Sequence, residues 1–191
     1  PIVWLDIENA DTIYDVLKDK KKIDDVITDT EIGDILPSNI LLSTAELEFN
    51  MPAREFLLRD HLAKVADDYD YIVIDTPPAL NVLTVNAYVA AQGPIIPMAP
   101  EILSLLGISQ LRDTVETVRR YYNPDLEVMG ILLNRYSSRL VLNREVEDMS
   151  QEVARKLDTK VFRNKIHASV AVAEAPAYGE SVLTYSPGSK P

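Results

Sequence analysis

The spacing of apolar residues changes period several times along this chain, and the changes mark out alternating elements. Phe56, Leu57, Leu62 and Val65 recur at helical spacing, so residues 51–66 are predicted to lie as a helix with one face on a core, ending at the acidic run 67–70. Tyr71-Ile72-Val73-Ile74 then forms an unbroken apolar run with β-branched residues, cut off by Asp75-Thr76-Pro77-Pro78. A run with no polar alternation reads as a buried parallel strand, because a strand covered on both faces leaves no side for water. The same grammar recurs at 93–98, GPIIPM, before Glu101 and a helical pattern, and at 128–133, VMGILL, which ends at Asn134-Arg135. Residues 84–91, 102–122 and 140–157 have the length and apolar spacing of crossover helices, and 160–162 offers one more strand.

Ahead of this, Asp11 or Thr12 can cap a short helix through Leu17, and Lys20–Lys22 with Asp24 and Asp25 read as an exposed turn into a second short helix. Residues 32–36 and 40–42 alternate weakly around Pro37, the pattern of a short strand and its exit. Repeated strand–helix units predict an α/β fold, a doubly wound, mainly parallel sheet with helices on both faces, organised as a single domain over 1–191. Residues 176–191 form an irregular tail rich in Pro, Gly and Ser. In such a sheet ligands collect at the carboxyl ends of strands, which places Asp75 where a metal-bound phosphate would sit.

Composition narrows the classes. The chain has 191 residues, 47% of them apolar, enough to bury a core. It contains no cysteine, which excludes disulfides and thiolate metal sites, and its two histidines, His61 and His167, are too scattered to suggest a metal centre. No apolar run approaches the roughly 18 residues of a membrane span, so a soluble, cytoplasmic protein is expected. The net charge of -11 is uneven: residues 1–100 carry 7 Lys/Arg against 18 Asp/Glu, whereas residues 101–191 carry 12 of each. A basic face can therefore still form in the second half, the alternative being a set of solvated helix faces.

Residues 68–86, DYDYIVIDTPPALNVLTVN, resemble the Walker B and switch segment of ParA/Soj-type partition ATPases, down to the double proline and the LTxN that follows. IIPMAPEILSLLGISQL at 95–111 resembles the family's next strand and long helix, and GILLNRYSSRLVLNREV at 130–146 its base-binding strand and helix. VFRNKIHASVAVAEAPAYGESVLTYSPGS at 161–189 parallels the closing segment, and TIYDVL with ILPSNILLSTAEL resembles the segment after the first βαβ unit. The resemblance runs in family order over roughly 9–191 and implies a P-loop NTPase-like fold of the deviant Walker A class. One departure stands out: the family's KGGxGK[ST] loop has no counterpart, since no Gly-Lys dipeptide occurs anywhere in these residues. The expectation is thus a fold missing the first βαβ unit, with an unpaired strand edge where the loop-bearing strand of the family would lie. Residues 1–8, PIVWLDIE, match nothing in the family pattern.

The resemblance assigns roles residue by residue. Asp75 would hold a water on Mg²⁺ as the catalytic and metal-associated carboxylate, or else simply closes a strand. Thr76, Pro77 and Pro78 would sense the γ-phosphate, or form a stiff loop without switching. Asn134 and Arg135 would read and stack on adenine, or cap the strand end. Glu174 and Pro176 would pack beside the base. The implied cofactors are ATP and Mg²⁺, and the implied partners are a second copy in a nucleotide-bound homodimer, non-specific DNA at the nucleoid, and a centromere-binding ParB-like protein, with no membrane. Arg139, Arg144, Arg155, Lys156, Arg163 and Lys165 are the candidate DNA contacts. Lacking the lysine-bearing loop, the chain as given is expected to hydrolyse no ATP, and ATPase activity is left open. The alternatives are a non-hydrolytic pseudo-ATPase that serves as a binding or dimerisation module, and a relative of MinD type, against which the absence of an amphipathic helix in the tail argues.

Overall fold

The computed structural model describes residues 10–31, 33–137 and 141–189. Residues 1–8, Ile32 and Arg139 lie outside them. The described residues group into two compact units, one comprising Gly93–Asp113 and the described residues from Glu127 onward, the other the described residues up to Gln92 together with Thr114–Leu126.

The second of these units is helical. Its first helix, α1 (Ile13–Leu17), starts at Thr12, whose backbone N–H donates to the Asp15 carboxylate at 3.1 Å. A single 3₁₀ turn, Ile23–Asp25, takes the place of the second short helix. Thr28 and Ile35 then exchange both backbone hydrogen bonds in an isolated antiparallel bridge. The expected strand at 40–42 is instead a 3₁₀ turn, Ile40–Thr44, leading into α2 (Ala45–Glu48); the Asn39 side chain accepts the Leu41 N–H and so starts the turn. The helix predicted over 51–66 is shorter, because Pro52 and a left-handed Ala53 (φ 62°) delay it: a 3₁₀ turn at Arg54–Phe56 precedes α3 (Leu57–Leu62). Helix α4 (Val82–Ala90) is capped by Asn81, whose Oδ1 accepts the N–H groups of Leu83 and Thr84, and it packs on α3. Val16, Ile23, Val26 and Val65 form one apolar cluster, and Leu17, Ala45, Phe49 and Leu58 a second.

Residues 71–74 correct the expectation of a buried strand. The segment forms no strand and none pairs with it among the described residues. Its side chains alternate: Tyr71 and Val73 are 90% and 92% exposed, whereas Ile72 is 42% exposed and Ile74 packs against the Leu17–Phe49–Leu58 cluster. A strand becomes buried on both faces only within a sheet, and without a ladder the apolar run stays open, with only Ile74 partly covered.

The other unit is built on parallel strands. Strand β1 (Ile95–Met98) pairs with β2 (Gly130–Leu133), Ile95 opposite Gly130 and Met98 opposite Leu133, and the crossover between them carries α5 (Ile102–Tyr121). Period-2 geometry sorts β1, with Ile96 and Met98 buried and Ile95 half exposed. Helix α6 (Val141–Lys156) packs on β2 through a face that includes Val146, Ser150 and Ala154, spaced by one helical turn. The third strand expected at 160–162 is reduced to a parallel bridge, Ile131 with Val161, and pairing resumes at Tyr136 with His167. Residues 163–165 bulge out between the two contacts. The tail is more regular than its composition suggests: α7 (Val170–Glu174), a 3₁₀ turn Ala175–Tyr178 and α8 (Val182–Tyr185), the helices capped by Ser169 and Ser181.

Candidate functional site: the carboxyl rim of the parallel strands

Strands β1 and β2 end side by side, and the Asn134 N–H donates to the Met98 carbonyl at 2.9 Å. Asn134 therefore stands at the carboxyl rim, where parallel sheets collect ligands. Its Oδ1 accepts the Arg135 N–H at 2.8 Å, which leaves the Nδ2 donors without a partner among the described residues. Arg135 is exposed and adopts φ 56°, a left-handed conformation that side-chain-bearing residues rarely take.

The next residue fixes this turn from behind. The Tyr136 N–H donates to the Ile166 carbonyl (3.0 Å), the Ala168 N–H donates to the Tyr136 carbonyl (3.1 Å), and the residue is 5% exposed. The Tyr136 hydroxyl donates to Glu147 Oε2 at 2.9 Å, Lys165 Nζ lies 2.5 Å from Glu147 Oε1, and the same ammonium sits over the Tyr136 ring, 4.3 Å from its centroid. Burial alone would push the Glu147 carboxyl up; the hydrogen bonds from Lys165 and Tyr136 outweigh it and hold the group below the usual carboxylate range. The Tyr136 hydroxyl is raised in turn, chiefly by its bond to Glu147.

Beyond His167 the chain enters the tail. Ser169 caps α7, Glu174 ends it exposed, and the Tyr185 hydroxyl donates to Glu174 Oε2 at 3.1 Å. Pro176 opens the 3₁₀ turn behind a buried Ala175, a position where a missing N–H costs nothing.

Asp75, Thr76, Pro77 and Pro78 belong to the other unit and are all exposed. One residue of the following helix ties this loop down and a second ties the helix to the segment 54–58; in the sequence both read only as part of a motif. Thr84 Oγ1 donates to the Ala79 carbonyl at 2.5 Å. Asn86, 3% exposed, accepts the Leu58 N–H through Oδ1 (3.0 Å) and donates through Nδ2 to the carbonyls of Arg54 (2.8 Å) and Val82 (2.9 Å). The available signal was polarity: Thr84 and Asn86 are polar residues inside an otherwise apolar helix.

The basic candidates divide. Lys165 is 19% exposed and committed to Glu147. Arg155 and Lys156 are exposed at the end of α6, and Arg163 is exposed on the bulge. Arg144 falls within α6, its side chain outside the described part.

Residues 3–128 match the model of the family described as "AAA domain". The chain is 37% identical over 193 residues to the sporulation initiation inhibitor protein Soj of Bacillus subtilis, covering 97% of this chain and 75% of Soj. This chain belongs to the ParA/Soj family of partition ATPases. Its fold is the α/β, P-loop NTPase-like fold of that family. Among solved structures, the cobyrinic acid a,c-diamide synthase of Mycobacterium smegmatis, holding ADP and magnesium, is 34% identical with a TM-score of 0.77, over 85% of this chain and 66% of that one. Apo McdA of Cyanothece, at 19% identity and a TM-score of 0.83, covers 93% of this chain and 73% of its own length and shares the fold. This ParA/Soj-family chain thus spans about two thirds to three quarters of such proteins. Among its described residues no helix is long and apolar enough to cross a membrane, and no cluster of His, Asp and Glu could hold a metal ion by itself.

Mg²⁺ in an NTPase keeps several waters and takes one or two protein oxygens beside substrate phosphates. The exposed Asp75 carboxylate suits a hydrated metal, and the Asn134 Nδ2 donors, without a partner among the described residues, suit a base edge.

Proposed function

We propose that this protein serves a ParA-type nucleotide switch in the partitioning of a plasmid or chromosome. Asp75 would hold a water of the Mg²⁺ bound to ATP, Thr76–Pro78 would respond to the γ-phosphate, Asn134 and Arg135 would receive the adenine, and the Glu174–Pro176 turn would close beside it. The observation that carries the reading is the Asn134–Arg135 turn at the joined carboxyl ends of β1 and β2, in a chain 37% identical to Soj. A bound nucleotide supplies the phosphate charge that a neutralising loop and metal must balance. No Gly-Lys pair occurs in the 191 residues, so the chain as given is expected to bind Mg-ATP weakly and to turn none over. Calorimetry and NMR with Mg-ATP test this: shifts at the amides of Asp75, Thr76 and 134–136 at high ligand concentration support it, and micromolar affinity or shifts confined elsewhere would overturn it.

The nucleotide-bound form is proposed to be a homodimer that binds DNA without sequence preference and is stimulated by a ParB-like partner. Arg155, Lys156 and Arg163 are the exposed candidates for phosphate contact. Replacing all three by alanine in a DNA-binding form of the protein is expected to lower affinity and flatten its salt dependence; an unchanged salt slope rejects them.

A further inference from the structure

We propose that the Glu147–Lys165 ion pair and the Tyr136 hydroxyl act as a clamp that positions the Asn134–Arg135 turn to discriminate adenine from guanine. The inference rests on the reading of that turn as the base site, and it adds the residues that determine its shape. Arg135 is held at φ 56°, and a left-handed residue with a side chain persists only where its surroundings over-determine it. On the upstream side the constraint is the Asn134 N–H bond to Met98. On the downstream side it is Tyr136, pinned through both backbone groups to Ile166 and Ala168 and through its hydroxyl to Glu147.

The clamp draws on three separate segments: Tyr136 follows β2, Glu147 projects from α6, and Lys165 comes from the 163–165 bulge. Each member has a second tie to the same centre. Lys165 both pairs with Glu147 and covers the Tyr136 ring, while the His167 ring meets Tyr136 edge-on with centroids 5.7 Å apart. Glu147 and Lys165 side chains are only 27% and 19% exposed, so the pair is poorly screened and its geometry is confined. The group immediately after the left-handed residue is thereby fixed in position, and with it the direction in which the Asn134 amide faces the rim.

The test uses the full 191-residue chain, ¹⁵N-labelled, with adenosine as the probe and guanosine as the comparator, neither of which needs a phosphate site. Adenosine is expected to shift the amides of Asn134–Tyr136 more strongly than guanosine. Glu147→Gln and Lys165→Met are each expected to weaken adenosine binding by about tenfold, to erode the preference over guanosine, and to diminish the strong intraresidue amide–Hα cross-peak that a positive φ produces at Arg135. Exchanging the charges, Glu147→Lys with Lys165→Glu, is expected to recover much of both. Folded variants that keep the wild-type affinity, preference and Arg135 cross-peak overturn the clamp while leaving the base site intact. A wild-type chain whose 134–136 amides ignore adenosine overturns the base-site reading and this inference with it. The Lys165 variant, which retains an apolar stem over the Tyr136 ring, decides the matter if Glu147→Gln fails to fold.

Discussion

Asn86 offers the sharpest check on how α4 is held against the start of α3. Its side chain is buried and makes three hydrogen bonds: it satisfies the Leu58 N–H in the first turn of α3 and donates to the carbonyls of Arg54 and Val82. The first N–H groups of a helix have no partner within it, so in Asn86→Ala the Leu58 donor is stranded in the interior, at a cost of about 1–3 kcal/mol. The Arg54 carbonyl also loses its donor, at roughly 1 kcal/mol, and the vacated amide leaves a small void. A total loss of about 2–4 kcal/mol is expected, a large share of the stability of a domain this size. Asn86→Asp separates the terms: it keeps an acceptor for Leu58 but turns a carboxylate toward two carbonyl oxygens, and is expected to be as harmful at neutral pH and milder in acid, where the carboxyl can donate. Urea unfolding followed by far-UV circular dichroism measures both. If Asn86→Ala costs less than about 0.5 kcal/mol, the side chain is not the strut between α3 and α4 that its geometry describes.

Three further outcomes follow from the packing and the charges. A Cβ on Gly93 would stand 2.0 Å from the Glu127 carbonyl oxygen, and the Met129 N–H bond to Pro94 (3.0 Å) keeps that backbone close. Gly93→Ala is therefore expected to destabilise by about 2 kcal/mol or more in the same urea assay. Glu48 is held at about 2, first by Lys18 and then by Tyr14 and Thr44. A carboxyl depressed in the folded state stabilises above its unfolded pKa and loses that contribution as pH falls through the folded value, so stability should decline from roughly pH 4.5 toward 2. Glu48→Gln should flatten that limb, and the exposed pair should weaken in high salt. Burial lowers His61, with Lys64 adding to it and Asp19 opposing. The unfolded chain then binds the proton better, so stability should fall as pH drops below about 6.5, and the urea midpoints of His61→Gln should show less of that slope.

What the residue pattern determined by itself is local and chemical. A short helix capped at Asp11 or Thr12, the parallel-strand character of 95–98 and 130–133, and the spans of α5 and α6 follow from side-chain period and polar punctuation, which act within a few residues. Asn134-Arg135 was legible because a β-branched and apolar strand stops there in favour of an amide and a guanidinium. The tertiary structure decided the rest, because it depends on which groups meet across the chain. Tyr71–Ile74 has the composition of a buried strand, yet burial needs a neighbour on each edge and a layer on each face, and the ladder is absent among the described residues. Glu147 and Lys165 lie 18 positions apart in the sequence and look like solvated charges in it. Only the α6–β2 packing and the 163–165 bulge bring them together over Tyr136.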